Sequence, residues 1–140
     1  MGARSNIALV YDDGNKIFFY GHWSGPEIAD ALKSALIECP GRWANDSYLA
    51  RCIFSRMVPE EQRLDETGFG ISPYLTDNGY PIIVVNLPAQ TICLALEDGI
   101  DAVAADFLAL RLKPGSRKVW TFGNFDVEEC KAMMTEGRVK

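Results

Sequence analysis

The run Tyr80-Pro81-Ile82-Ile83-Val84-Val85-Asn86-Leu87 limits the folds open to this chain more than any other segment. Its β-branched residues favour a strand, and strand side chains alternate between the two faces of a sheet. A strand that is apolar on both faces belongs in the middle of a sheet that is covered on both sides. Residues 6–11 (N-I-A-L-V-Y) and 16–20 (K-I-F-F-Y) flank Asp12-Asp13-Gly14-Asn15. The Asp-Gly pair is a hairpin turn signal, so the chain is expected to open with a β-hairpin. A two-residue turn at Asp13-Gly14 would set Ser5 opposite His22 and Arg4 opposite Trp23.

Ile28, Leu32 and Leu36 recur at helical spacing and predict a helix over 25–38. Ser24 with Glu27 reads as its capping box, Pro26 suits its first turn, and Cys39-Pro40-Gly41 ends it. Leu49, Ile53 and Met57 predict a second helix, with cap residues at Asn45-Asp46-Ser47 and a stop at Pro59. Residues 60–67 read as a charged loop, and residues 68–75 as a strand that Pro73 places at an edge. Residues 80–87 and 91–96 follow as strands, 101–113 as a short helix, 117–122 as a last strand and 126–136 as a closing helix. Tight turns between strands imply antiparallel pairing. The expected fold is one α+β domain over 1–140, with a mostly antiparallel sheet, an N-terminal β-hairpin and helices packed on one face.

Composition narrows the chemistry. Among 140 residues, 14 Lys and Arg stand against 19 Asp and Glu, a net charge of −5, and no basic cluster marks a nucleic-acid surface. No apolar stretch approaches the ~18 residues of a membrane span, and the polar start has no signal-peptide core. Neither nucleic acid nor membrane is therefore expected as a partner. Cys39, Cys52, Cys93 and Cys130 are scattered, form no C-x-x-C pair and lie far in sequence from His22, the one histidine. That spacing argues against a zinc site and for reduced thiols in a cytoplasm. Gly68-Phe69-Gly70 lacks the third glycine of a dinucleotide motif, so no cofactor is expected.

His22 is the first candidate for chemistry, because Ser24 and Asp30 lie close to it in sequence. No G-x-S-x-G elbow accompanies them, and Ser24 reads better as a cap than as a nucleophile. No catalytic and no metal-binding residue is assigned. Trp23 and Trp43 flank the first helix among polar neighbours, and exposed Trp and Arg side chains are common anchors at interfaces. The candidate binding residues are Arg4, His22, Trp23, Arg42 and Trp43.

The opening Met1-Gly2-Ala3-Arg4-Ser5-Asn6, the hairpin, the His22-Trp23 step and the Pro81-led Ile-Ile-Val-Val strand are similar to small uncharacterised proteins of tailed bacteriophages. The resemblance is strongest to those infecting actinobacteria, whose chains begin Met-Gly-(Ala/Thr)-Arg, and it covers about residues 1–94. It implies a phage protein made in the host cytoplasm and carries no catalytic residue over. The expected function is non-catalytic binding, either to a host bacterial protein (host takeover or counter-defence) or to a second copy as a homodimer. The alternative is a small enzyme or a binder of a nucleotide-like ligand, with its site around His22. Thiol titration of the freshly isolated protein in denaturant, without reductant, is expected to count all four cysteines. A count of two or none contradicts the reduced state.

Overall fold

The structure, a computed structural model, describes residues 3–101 and 118–138. Its elements are β1 (Ser5–Val10), β2 (Lys16–Gly21), α1 (Ile28–Glu38), α2 (Asp46–Met57), β3 (Phe69–Ser72), β4 (Ile82–Asn86), β5 (Thr91–Ala95), β6 (Val119–Thr121) and α3 (Val127–Glu136). The described strands form one sheet in the order β3-β2-β1-β4-β5-β6. The fold is α+β with a mostly antiparallel sheet. Beyond Asp101, the helix expected over 101–113 falls outside the described residues.

The expected hairpin forms, with one difference of register. Tyr11 donates its N–H to Asn15 O (2.9 Å), and Gly14 sits at φ +85°. Asp12-Asp13-Gly14 is therefore a three-residue loop that ends on a left-handed glycine, a common alternative to the two-residue turn. Asp13 Oδ1 accepts the Asn15 N–H at 2.9 Å and holds the loop. The extra residue pairs Ser5 with Gly21, not His22. Because the strand period is two, this slip changes which side chains share a face.

Sheet direction also departs from fully antiparallel pairing at one place. β1 pairs with β4 in parallel, Ile7 opposite Ile83 through Val10 opposite Asn86. The reason lies in the path from β3 to β4. β3 starts beside Gly21 and ends beside Phe18, so residues 73–81 must return to the start of β1 before β4 begins. Leu75 on this return packs against the cluster that contains Ala8, Val10 and Phe18, on the side of the sheet away from the helices. Asn6 donates to Asp77 O (2.9 Å) and to Asn78 Oδ1 (3.1 Å), which fixes the end of the return.

The central pair behaves as its composition demands. Ile82 and Val84 join Ala8, Val10, Phe18, Cys93, Ala95 and Ile100 in a cluster on one face. Ile83 and Val85 join Ile7, Leu9, Phe19, Ile92, Leu94 and Trp120 on the other, under the helices. α1 covers the sheet with Ile28, Leu32 and Leu36, α2 with Leu49, Ile53 and Met57, and α3 with Cys130 and Met134. α1 lies between the other two. Lys131 binds Asp30 at 2.9 Å on the α3 side, and Arg56 binds Glu38 at 2.6 Å on the α2 side.

Two helices carry a side-chain cap, α2 the one expected at Asn45 and α3 one at Asp126 that was not expected. Asn45 accepts the Tyr48 N–H (3.4 Å), and Asp126 accepts the Glu129 N–H (3.0 Å). The capping box expected at Ser24 and Glu27 does not form. Ser24 is already helical (φ −73°, ψ −39°), and a short 3-10 turn over Gly25–Glu27 precedes α1. A capping side chain needs an extended backbone to reach forward; the Ser24 hydroxyl packs against Gly21 instead. In urea denaturation, Asn45→Ala and Asp126→Ala are each expected to cost about 1 kcal/mol of stability. Ser24→Ala is expected to cost less than half as much. An equal loss at Ser24 contradicts the absence of a cap there.

Candidate functional site

The hairpin exit and the start of α1 form one wall of an open cleft of about 430 Å³. Its floor and apolar wall are Trp23, Ile28, Met57 and Phe69; Glu27, Asp30 and Arg56 supply its charges. These residues come from four places in the chain, and the sheet order brings them together. β3 pairs with β2, so Phe69 lands opposite Gly21, just before Trp23. α2 packs against α1, which brings Met57 and Arg56 to the same opening.

Trp23 is 58% exposed and is not part of the buried core. Its position depends on Gly68. That glycine has φ +99°, and a Cβ on it would come within 2.8 Å of the Trp23 ring. The His22 N–H donates to Gly68 O at 2.8 Å, which locks the two segments together. His22 stands edge-on to Trp23 with ring centroids 4.7 Å apart, and a 2.7 Å hydrogen bond joins its Nδ1 to Tyr20 Oη. Asp30 is held by Lys131, whose pKa this hydrogen bond raises. Among the described residues no hydrogen bond links His22 to Ser24 or Asp30, so no nucleophile–base–acid relay is assembled.

His22 touches Trp23 without itself lining the cleft, and the remaining candidates lie apart from it. Arg4 stands on the same side of β1 as Asn6 and, like Asn6, turns to the return segment, with Nε 3.6 Å from Asp77 Oδ2. The one-residue register slip accounts for this, since it removes Arg4 from its expected place opposite Trp23. Arg42 stacks on the Tyr48 ring at 4.5 Å. Trp43 donates its indole N–H to Leu36 O (3.1 Å) and meets Phe122 edge-on. Trp43 also lines a smaller cleft of about 170 Å³ with Asp12, Asp46, Leu87 and Pro88, at the far end of α1. Next to Asp12 in the chain, Tyr11 has its pKa raised by burial and then by the charge of Asp46. Arg4, Arg42 and Trp43 thus do not join His22 and Trp23 around one ligand.

A feature that residue types alone did not reveal lies beside the larger cleft. The His22–Gly68 bond fixes the phase of the β2–β3 ladder. Antiparallel partners alternate between bonded and non-bonded pairs, so Gly70 and Ser72 point their N–H and C=O groups at β2. Phe69 and Ile71 then point theirs outward, where no described strand pairs with them. The Ile71 side chain is 58% exposed at this edge. Pro73 did announce an edge strand; only the ladder phase says which groups it leaves free.

Among the described residues, no group of three or more His, Cys, Asp or Glu side chains is placed to hold a metal, and no helix is long and apolar enough to cross a membrane. Comparison with family models, curated proteins and solved structures finds no match to the chain. Gly68→Ala is expected to cost about 1–3 kcal/mol from backbone strain and to shift Trp23 fluorescence as the ring is displaced. Urea denaturation and emission spectra check this; unchanged stability and spectrum contradict the contact.

Proposed function

We propose that this chain is a non-catalytic binding protein that captures an extended segment of another protein along β3. The observation that carries the reading is the junction of a free strand edge with an open cleft. An added strand bonds to the outward N–H and C=O groups of Phe69 and Ile71, and an alternate side chain enters the cleft, as in other cases of strand addition. Trp23 and Phe69 supply apolar contact. Arg56 is occupied by Glu38, and Asp30 by Lys131; Glu27 is in no ion pair among the described residues. A Lys or Arg with its stem on the Trp23 ring and its head at Glu27 suits this arrangement, and a net charge of −5 favours a basic partner. The resemblance to tailed-phage proteins supports a host bacterial protein as partner, met in the host cytoplasm. A second copy docked on the same edge is the other reading, because two antiparallel β3 edges are complementary.

Panning a random heptapeptide library against the protein tests the reading. Enriched peptides are expected to contain Lys or Arg and to lose at least about tenfold in affinity with Trp23→Ala or Ile71→Pro. The proline removes an outward N–H and leaves the β2 ladder intact, so circular dichroism and the thermal midpoint stay close to wild type. No enrichment, or equal binding to both variants, overturns strand addition. A dimer in sedimentation that Ile71→Pro converts to monomer assigns the edge to a second copy.

A further inference from the structure

Three features fall outside this reading. The cleft at Trp43 is an acidic notch with nothing that points to a ligand. Leu64 and Tyr74 are exposed but line neither of the two clefts described. The third is a pair of thiols. Cys39 closes α1, Cys52 lies in the middle of α2, and their sulfurs are 3.1 Å apart. Both are partly exposed, whereas Cys93 and Cys130 are buried.

We infer that Cys39 and Cys52 form a reversible dithiol site that a low-molecular-weight disulfide oxidises to a bond between α1 and α2. Geometry makes the pair distinct. The sulfurs already touch, the helices are packed, and the Glu38–Arg56 ion pair (2.6 Å) bridges the same two helices. The Cys39 thiol donates a hydrogen bond to Cys52 Sγ. That bond is the main reason the Cys39 pKa is raised. Cys39 keeps its proton in that bond and is the poorer nucleophile, so Cys52 is the attacking group.

The exchange balances. The Cys52 thiolate attacks one sulfur of the small disulfide, forms a mixed disulfide and expels one small thiolate. Cys39 then loses its proton to solvent and attacks the Cys52 sulfur. That step forms the Cys39–Cys52 bond and expels the second small thiolate. The protein loses two electrons and two protons, and the reagent becomes two thiols. Cys130 takes no part: burial, then Asp126 and Glu129, pushes its pKa up to about 12.

Oxidised glutathione is the probe. After treatment, thiols counted in denaturant are expected to fall from four to two. The intact mass drops by two hydrogen atoms, and a digest gives one Cys39–Cys52 cross-link that dithiothreitol reverses. The bond closes a loop between residues 13 apart and is expected to raise the thermal midpoint by roughly 5–10 °C. Cys39→Ser is expected to stop at a glutathione adduct on Cys52. A persistent count of four, a glutathione adduct as the end state of the wild type, a link to Cys93 or Cys130, or a lowered midpoint overturns the inference.

Discussion

The parallel pairing of β1 with β4 is the constraint on which the other elements depend. Every residue of both strands is buried, and the apolar side chains leave from both faces. Neither face can be left to water. The helices cover one, and part of the other is met by the return from β3 to β4, which carries Leu75 across it. A direct turn from β3 would have made β4 antiparallel to β3. The return makes β4 run with β1, and it ends in the Asn6 hydrogen bonds to Asp77 and Asn78. Asn6 is a fully buried polar residue whose amide keeps this crossing in register, and Arg4 follows it to the same segment.

Much of this was legible in the sequence because it depends on local signals. The apolar run at residues 80–87 marks a central strand, period-four spacing marks both early helices, and Pro73 marks an edge. Three features were not legible, each for a physical reason. The loop length at Asp12-Asp13-Gly14 depends on whether one or two residues precede the left-handed glycine, and both forms use Asp-Gly. The failed cap at Ser24 depends on the backbone entering α1, where a 3-10 turn has already made that residue helical. The β1–β4 direction is set by a nine-residue return whose composition says only that it turns.

The candidate site shows the same division. His22 and Trp23 were found from residue type and from their place before a helix. Phe69, Met57 and Arg56 were not, since they reach the cleft only through β2–β3 pairing and α1–α2 packing. Arg4 was placed beside Trp23 by counting from a two-residue turn, and one extra loop residue was enough to send its side chain to the opposite face. The turn sets the register, and the register sets which side chains meet across the strands.

If β3 takes up an added strand as proposed, magnitudes decide how the edge and the cleft share the work of binding. β3 turns two residues outward, which gives at most four backbone hydrogen bonds to an added strand. At roughly 0.5–1.5 kcal/mol net each, these sum to about 2–6 kcal/mol. Association costs at least roughly 4 kcal/mol in lost freedom, so the edge alone holds nothing tightly. The cleft has to supply the surplus. Burying a large side chain against Trp23, Ile28, Met57 and Phe69 is worth roughly 1.5–3 kcal/mol, with more from a cation over an indole ring. In the proposed strand addition the short edge would therefore set direction and register, while the cleft would set affinity and choice of partner. That division also keeps the edge safe: a four-residue strand that ends at Pro73 is too short to recruit unrelated strands unless one of their side chains fits beside Trp23.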